Sequence, residues 1–182
     1  METGPVVRTD RLVLRRLAPA DAGPIAGYRS LPDVARYQSW EAFSPADAAR
    51  LVAAQQGVVP NTPGTWLQLA ITKDGGVVGD CGLHFLDDRQ AEVGVTLAGA
   101  HQGRGYAAEA LRAVLDYLFG TLGKHRVVAT TDARNRPAAA LFERLGFRRE
   151  AHFVRNVWFK GEWGDEFLFA RLAEEWARDR AR

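Results

Sequence analysis

Residues 100–110 read AHQGRGYAAEA, with Gly103 and Gly105 one residue apart just ahead of a helical pattern. Two patterns overlap here. Gly103, Gly105 and Ala108 satisfy the dinucleotide fingerprint G-x-G-x-x-G/A, while Gln102, Gly105 and Ala107 satisfy Q-x-x-G-x-A. The choice decides the fold, because the dinucleotide fingerprint needs a doubly wound parallel sheet with its glycines directly at the end of the first strand. A third reading makes the two glycines a plain turn before an amphipathic helix, with no ligand at all.

The flanking segments separate these readings. Downstream, residues 105–119 carry apolar side chains at 107, 110, 111, 114, 115 and 118, one buried stripe of a helix. RVVATT (126–131) then reads as a strand, 137–145 as a helix opened by Asn135 or Arg136 and closed by Gly146, and 147–159 and 166–171 as two further strands. LAEEWARDR (172–180) is a C-terminal helix or a solvated tail. Upstream, RLVLRRL (11–17) is an opening strand, and 18–30 a short helix with Ala20 or Asp21 near its cap. A second helix at 43–57 has Ser44 as cap, Pro45 in its first position and Gly57 as its stop. TWLQLAIT (65–72), the turn KDGG (73–76), VVGDCGLHFL (77–86), a turn at 87–90 and AEVGVTL (91–97) form a three-strand meander. Three antiparallel strands therefore precede the glycines, and Ala98 to Gln102 intervene, which counts against the dinucleotide reading. In its favour stands Asp132, at the end of the next strand and about 20 residues past the motif, where a ribose-binding acid would sit.

Composition bounds the rest. At 182 residues, 47% hydrophobic and 25% charged, the chain suits one globular domain spanning 1–182, with no repeat, linker or low-complexity segment. A formal net charge of +2 argues against nucleic acid as a partner, although the pI of about 8.9 leaves room for a local basic patch. Cys81 is the single cysteine and cannot form an internal disulfide; METGPVVRTDR has neither the pattern of a signal peptide nor that of a spanning segment. A cytoplasmic protein without a membrane partner or a metal is expected.

Four stretches in order, TDRLVLRRLAPADA, AEVGVTLAGAHQGRGYAAEAL, NRPAAALFERLGF and WFKGEWGDEFLFARLAEEW, resemble the GNAT superfamily of acyl-CoA N-acyltransferases. Within it they are most similar to the ribosomal-protein alanine N-acetyltransferases, the RimJ/RimL-like branch. The resemblance implies an α/β fold with a mixed, largely antiparallel sheet of about seven strands flanked by helices and splayed between its fourth and fifth strands. It also implies acetyl-CoA as co-substrate, a small-molecule or peptide amine as acceptor, and a monomer or homodimer. Main-chain amides from Gln102 through Gly103, Arg104, Gly105 and Tyr106 to Ala107 would cradle the pyrophosphate, with Arg104 adding a cation. Chemistry concurs, since converging N–H donors at a helix N-terminus need a main chain free of obstructing side chains. The resemblance further places the pantetheine arm against the strand edge at Val95 and Leu97 and beside Asn135, whose other role is a plain helix cap.

Acetyl transfer needs a neutral amine, a polarised thioester carbonyl and a proton for the departing thiolate. The family's frequent base position is Glu92, with His84 as second choice; the two lie on strands joined by the 87–90 turn, and one residue of register decides whether they share a face. The family's tyrosine acid is replaced by Phe142, at the cofactor, and the branch's serine by Ala138, which leaves Tyr106 as a substitute donor. These blanks keep a non-catalytic acyl-CoA-binding or sensing module open as an alternative. For the acceptor, Trp40 ranks first among Trp40, Phe43, Trp66, Trp158 and Trp163, because DVARYQSWEAF is the least periodic region. Cys81, among apolar strand neighbours, reads as a buried small hydrophobe.

Overall fold

The computed structural model describes residues 6–181. Its strands are β1 (Val7–Arg8), β2 (Val13–Arg16), β3 (Thr65–Lys73), β4 (Gly76–Phe85), β5 (Gln90–Leu97), β6 (Arg126–Asp132), β7 (Arg148–Phe159) and β8 (Glu162–Leu172). They form one sheet in the order β1-β2-β3-β4-β5-β6-β8-β7. Helices α1 (Ala22–Arg29), α2 (Pro32–Ala35) and α3 (Pro45–Ala54) pack on one face, and α4 (Tyr106–Asp116) and α5 (Arg136–Arg144) on the other; α6 (Ala173–Arg180) closes the chain.

Strand periodicity divides the core between these faces. Leu67, Leu69, Cys81, Leu83, Val93 and Ala129 meet the buried stripe of α4, Ala110, Leu111, Val114 and Leu115. Each buried leucine or valine among them contributes roughly 2 kcal/mol of transfer free energy. On the opposite face Ala70 packs against Leu17, Ile25 and Val52 around α1 and α3. Burial pushes the Cys81 thiol above its ordinary range, so it stays a protonated core residue.

Several boundaries follow from local chemistry. Ser44 caps α3, its hydroxyl accepting from the Asp47 N–H at 3.1 Å while the Asp47 carboxylate accepts from the Ser44 N–H at 2.7 Å. The hairpin between β3 and β4 turns on Asp74 and Gly75, both at positive φ (50° and 82°), as a two-residue turn matched to strand twist requires. The sheet has one strand more than the seven expected, because β1 is a two-residue strand paired to β2 and too short to show a period. The short α2 was unexpected for the same reason. Residues 173–180 are a docked helix, with Glu175 accepting from the Leu172 N–H and the Trp176 indole donating to Asp116 at 2.9 Å.

All pairings are antiparallel except β5 with β6. That one parallel pair holds only where Gln90, Ala91 and Glu92 face Arg126, Val127 and Val128. Beyond it β6 follows β8 along its whole length, while β5 follows β4, so the two strands part. This splay opens the sheet from Val93 onward, and one parallel pair is too few for the doubly wound sheet of the dinucleotide reading.

Candidate active site

The loop after β5 is built to present its main chain. Gly103 and Gly105 hold φ of 70° and 81°, a region that side-chain-bearing residues enter only with strain. Gly105 is the N-cap of α4 and offers no side chain to its first turn, so the opening amides of the helix point outward without intrahelical partners. Gln102 differs: its N–H donates to the Gly99 carbonyl at 3.2 Å, and its side-chain amide donates to the Leu97 carbonyl at 3.1 Å. It folds the loop back onto the end of β5 and leaves the donors from 103 onward free.

The loop is braced from outside. Arg11 donates to the Arg104 carbonyl at 3.1 Å and to Glu109 at 2.7 Å, and its guanidinium lies 4.6 Å from the Tyr106 ring centre. Burial works to raise the Glu109 carboxyl, but hydrogen bonds from Thr9 and Arg11 outweigh it and hold the group below its ordinary range. Glu109 is thus a structural anion joining the β1–β2 turn to α4.

A cleft of about 630 Å³ runs from this loop into the splay. Gln102, Gly103, Gly105, Tyr106 and Ala107 line its outer end; Val95, Leu97 and Asn135 line its inner end. The Ala98 N–H donates to the Val78 carbonyl of β4 at 2.9 Å, and peptide groups alternate sides along a strand, so Val95 and Leu97 turn theirs toward the gap. Asn135 caps α5 through Oδ1, which accepts from the Ala138 N–H at 3.2 Å, and its Nδ2 remains to offer a ligand. Converging amides, an uncapped helix start and an unpaired strand edge fit a pyrophosphate joined to an amide-bearing arm.

A second cavity of about 480 Å³ opens on the face carrying α1. Three cross-strand rows of β3, β4 and β5 make that face: Trp66, His84 and Glu92, then Gln68, Gly82 and Gly94, then Ala70, Asp80 and Thr96. Asp80 is 1% exposed and sits at the floor, bound by the Arg29 guanidinium (2.6 and 3.1 Å), the Tyr28 hydroxyl and the Gln68 amide. Burial, reinforced by Asp80, pushes the Tyr28 phenol above its ordinary range, so it remains a donor. Burial also works against the Arg29 charge, but Asp80 outweighs it and the guanidinium stays charged. Arg29 in turn stacks 4.4 Å from the Trp40 ring centre, and the Trp40 indole donates to the Arg29 carbonyl at 3.0 Å. Trp40 lines the cavity, held there by the last residue of α1.

The family of acetyltransferase (GNAT) domains matches residues 11–148, most of the chain. The chain belongs to the GNAT family. Its members use acetyl-CoA, and this protein is an acyltransferase enzyme. Over 172 residues it is 28% identical to the uncharacterized N-acetyltransferase p20 of Bacillus licheniformis, covering 93% of this chain and 97% of the relative. A GNAT-family acetyltransferase from Bacillus anthracis superposes with a TM-score of 0.85 at 26% identity, covering 93% of this chain and 99% of the other. Mycobacterium smegmatis RimJ in complex with CoA-disulfide superposes with a TM-score of 0.78 at 27% identity, covering 90% and 83%.

The acetyltransferase distributes the expected site residues unevenly. Arg104 and Phe142 lie outside the lining of both cavities. The Phe142 ring is 3% exposed, packed against Phe147 and Phe169 at 5.3 and 5.9 Å between centres, so it belongs to the core. His84 and Glu92 do share a face, directly paired across β4 and β5, with Nδ1 and Oε2 3.5 Å apart. Neither lines either of these two cavities; Trp66, stacked on His84 at 4.5 Å, lines the second. Sequence reasoning missed Tyr37 and Gln38, which line both cavities, and the Arg29–Asp80 pair. No period marks the segment after α2, and an arginine and an aspartate 51 residues apart carry no joint signal. Among the described residues no cluster of metal-ligating side chains occurs, and no helix is long and apolar enough to cross a membrane.

Proposed function

We propose that this acetyltransferase, acting as a single cytoplasmic domain of RimJ/RimL-like type, moves the acetyl group of acetyl-CoA to a primary amine by direct attack. The acceptor is a protein N-terminus, an amino acid or a small aminated molecule. The observation that carries this reading is the continuity of the two cavities: Val95, Thr96, Asn135, Ala138, Tyr37 and Gln38 line both. One cavity suits the thioester, the other the amine, and the shared wall is where they meet. The similarity to RimJ supports the branch, and the single buried thiol supports the compartment.

Acetyl-CoA supplies the activated acyl group. The Val95 peptide, turned toward the gap, is the donor we assign to the thioester carbonyl. Glu92 is the base we assign, working through water, because Gly94 follows it on the same face and a Cβ there would meet nothing within 4 Å. That empty lane separates Glu92 from the shared wall. Tyr37 is the hydroxyl we assign to the leaving thiolate in place of those absent at Ala138 and Phe142.

Release of free CoA, followed with a panel of primary amines, tests the reading. Turnover with at least one amine is expected, with Glu92→Gln lowering kcat far more than acetyl-CoA affinity and flattening the pH–rate profile. Tight acetyl-CoA binding without turnover across the panel would overturn the transferase reading, and an unaltered pH profile in Glu92→Gln would remove it as base.

A further inference from the structure

The acceptor cavity has an uneven charge. Its lining includes four charged residues, Arg29, Asp80, Asp132 and Glu166. Arg29 and Asp80 neutralise one another in their buried pair. Asp132 is held by Arg134, which approaches from outside the lining with contacts of 2.8 and 3.0 Å. Burial works to raise the Asp132 carboxyl, and Arg134 outweighs it and keeps the group ionised. Glu166 has no such partner. Its carboxylate accepts one hydrogen bond from the neutral Asn156 amide at 2.6 Å, and it makes no ion pair among the described residues.

Glu166 is also directly opposite Asp132 across β6 and β8. Like charges at that cross-strand position repel, and the arginine beside them, Arg134, is shared between Asp132 and Glu162 and does not pair with Glu166. Beside them Thr131 lines the same cavity, and its buried hydroxyl oxygen has no hydrogen-bond partner among the described residues. Trp40, Trp66 and Phe159 also line the cavity. An unpaired carboxylate in a cavity that also has aromatic lining is an environment that favours an ammonium group.

We infer that the acceptor is a small aliphatic diamine, with one nitrogen acetylated at the shared wall and the other held as an ammonium by Glu166 beside Asp132. This rests on the transferase reading above and narrows its acceptor. The two ends of such a molecule need opposite protonation states. The reacting nitrogen must be neutral to attack, whereas the remote one keeps its proton at neutral pH because aliphatic amines titrate near 10. The cavity meets both needs: Glu166 stabilises charge at one end, and the base acts at the other. A volume of about 480 Å³ is within the range of small-molecule sites.

Three acceptors of one length test this: 1,4-diaminobutane, butylamine and 4-aminobutanoate, with CoA release as the readout. For the native protein kcat/KM should fall in that order, with the diamine preferred over butylamine by about tenfold or more, the size of a charge-assisted hydrogen bond. Glu166→Gln should collapse that preference to near unity, while Glu174→Gln, on the exposed side of α6, should keep it. Equal use of the diamine and butylamine by the native protein would overturn the diamine assignment and leave the transferase reading standing. A preference retained in Glu166→Gln would overturn the role of Glu166. Preference for an alanyl-lysine peptide amide over the diamine would overturn the free small molecule. Absence of CoA release with every amine would remove the transferase reading and this inference with it.

Discussion

The cofactor cleft and the acceptor cavity share a wall, yet they are made of different material. The cleft rests on main chain: the loop and helix start at Gly103, Gly105, Tyr106 and Ala107, opened by two glycines at positive φ, and a strand edge bared by the splay of β5 from β6. The acceptor cavity is side chain, contributed by α1, the segment after α2, strands β3 to β8 and the start of α5. A main-chain site tolerates exchange of many side chains but not of backbone conformation. A side-chain site is the reverse, since its shape depends on buried partners that hold each group in place.

The largest expected effect falls on the side-chain site. Asp80→Ala would leave Arg29 buried without its counter-ion, and breaking a buried pair in this way costs about 3–5 kcal/mol. A fall of that size in unfolding free energy, measured by denaturant titration, is expected together with loss of acceptor affinity as Trp40 loses its support. Replacing both partners, Asp80→Leu with Arg29→Met, should recover most of the stability, because no charge is then stranded, while acceptor affinity stays poor. A loss below about 1 kcal/mol in Asp80→Ala would mean the pair is not the prop described here.

Next in size is the group at the junction. Tyr37→Phe should slow transfer from acetyl-CoA by about tenfold, at the low end for a general acid, with little change in cofactor affinity. The selenoester analogue of acetyl-CoA sharpens the test, because its selenolate leaves without help and the deficit should shrink. An equal deficit with both donors would make Tyr37 a wall of the cavity and not a proton donor.

The same contrast explains what was legible beforehand. The cleft lies in a contiguous stretch, so Gly103, Gly105 and the helix after them disclose it, and the meander that precedes them excludes a doubly wound sheet. The acceptor cavity has no local signature: Arg29, Asp80, Trp66 and Glu166 converge only once the sheet has formed. His84 and Glu92 were ambiguous by one residue of turn length, and the hairpin register makes them direct partners. Phe142 was placed at the cofactor by resemblance, but without a hydroxyl nothing draws the ring outward, and it packs with Phe147 and Phe169. Short elements such as β1 and α2 hold too few residues to display a period.

The smallest expected effect probes the main-chain site. At Gly105 an added Cβ would lie 3.4 Å from an Arg11 nitrogen, an ordinary contact, so packing does not demand the glycine; its φ of 81° does. Gly105→Ala should therefore cost about 1–2 kcal/mol of local strain and reorient the amides of the cradle. Because those amides are assigned to the pyrophosphate, the loss should appear with acetyl-CoA, at about fivefold to tenfold in kcat/KM, and be nearly absent with acetyl-pantetheine, which has no pyrophosphate. Equal losses with the two thioesters would show that Gly105 supports the fold of α4 in general and not the anion at its mouth. Arg11 sets the scale for that outcome, since it already ties the Arg104 carbonyl to Glu109 and can hold the loop while the amides tilt.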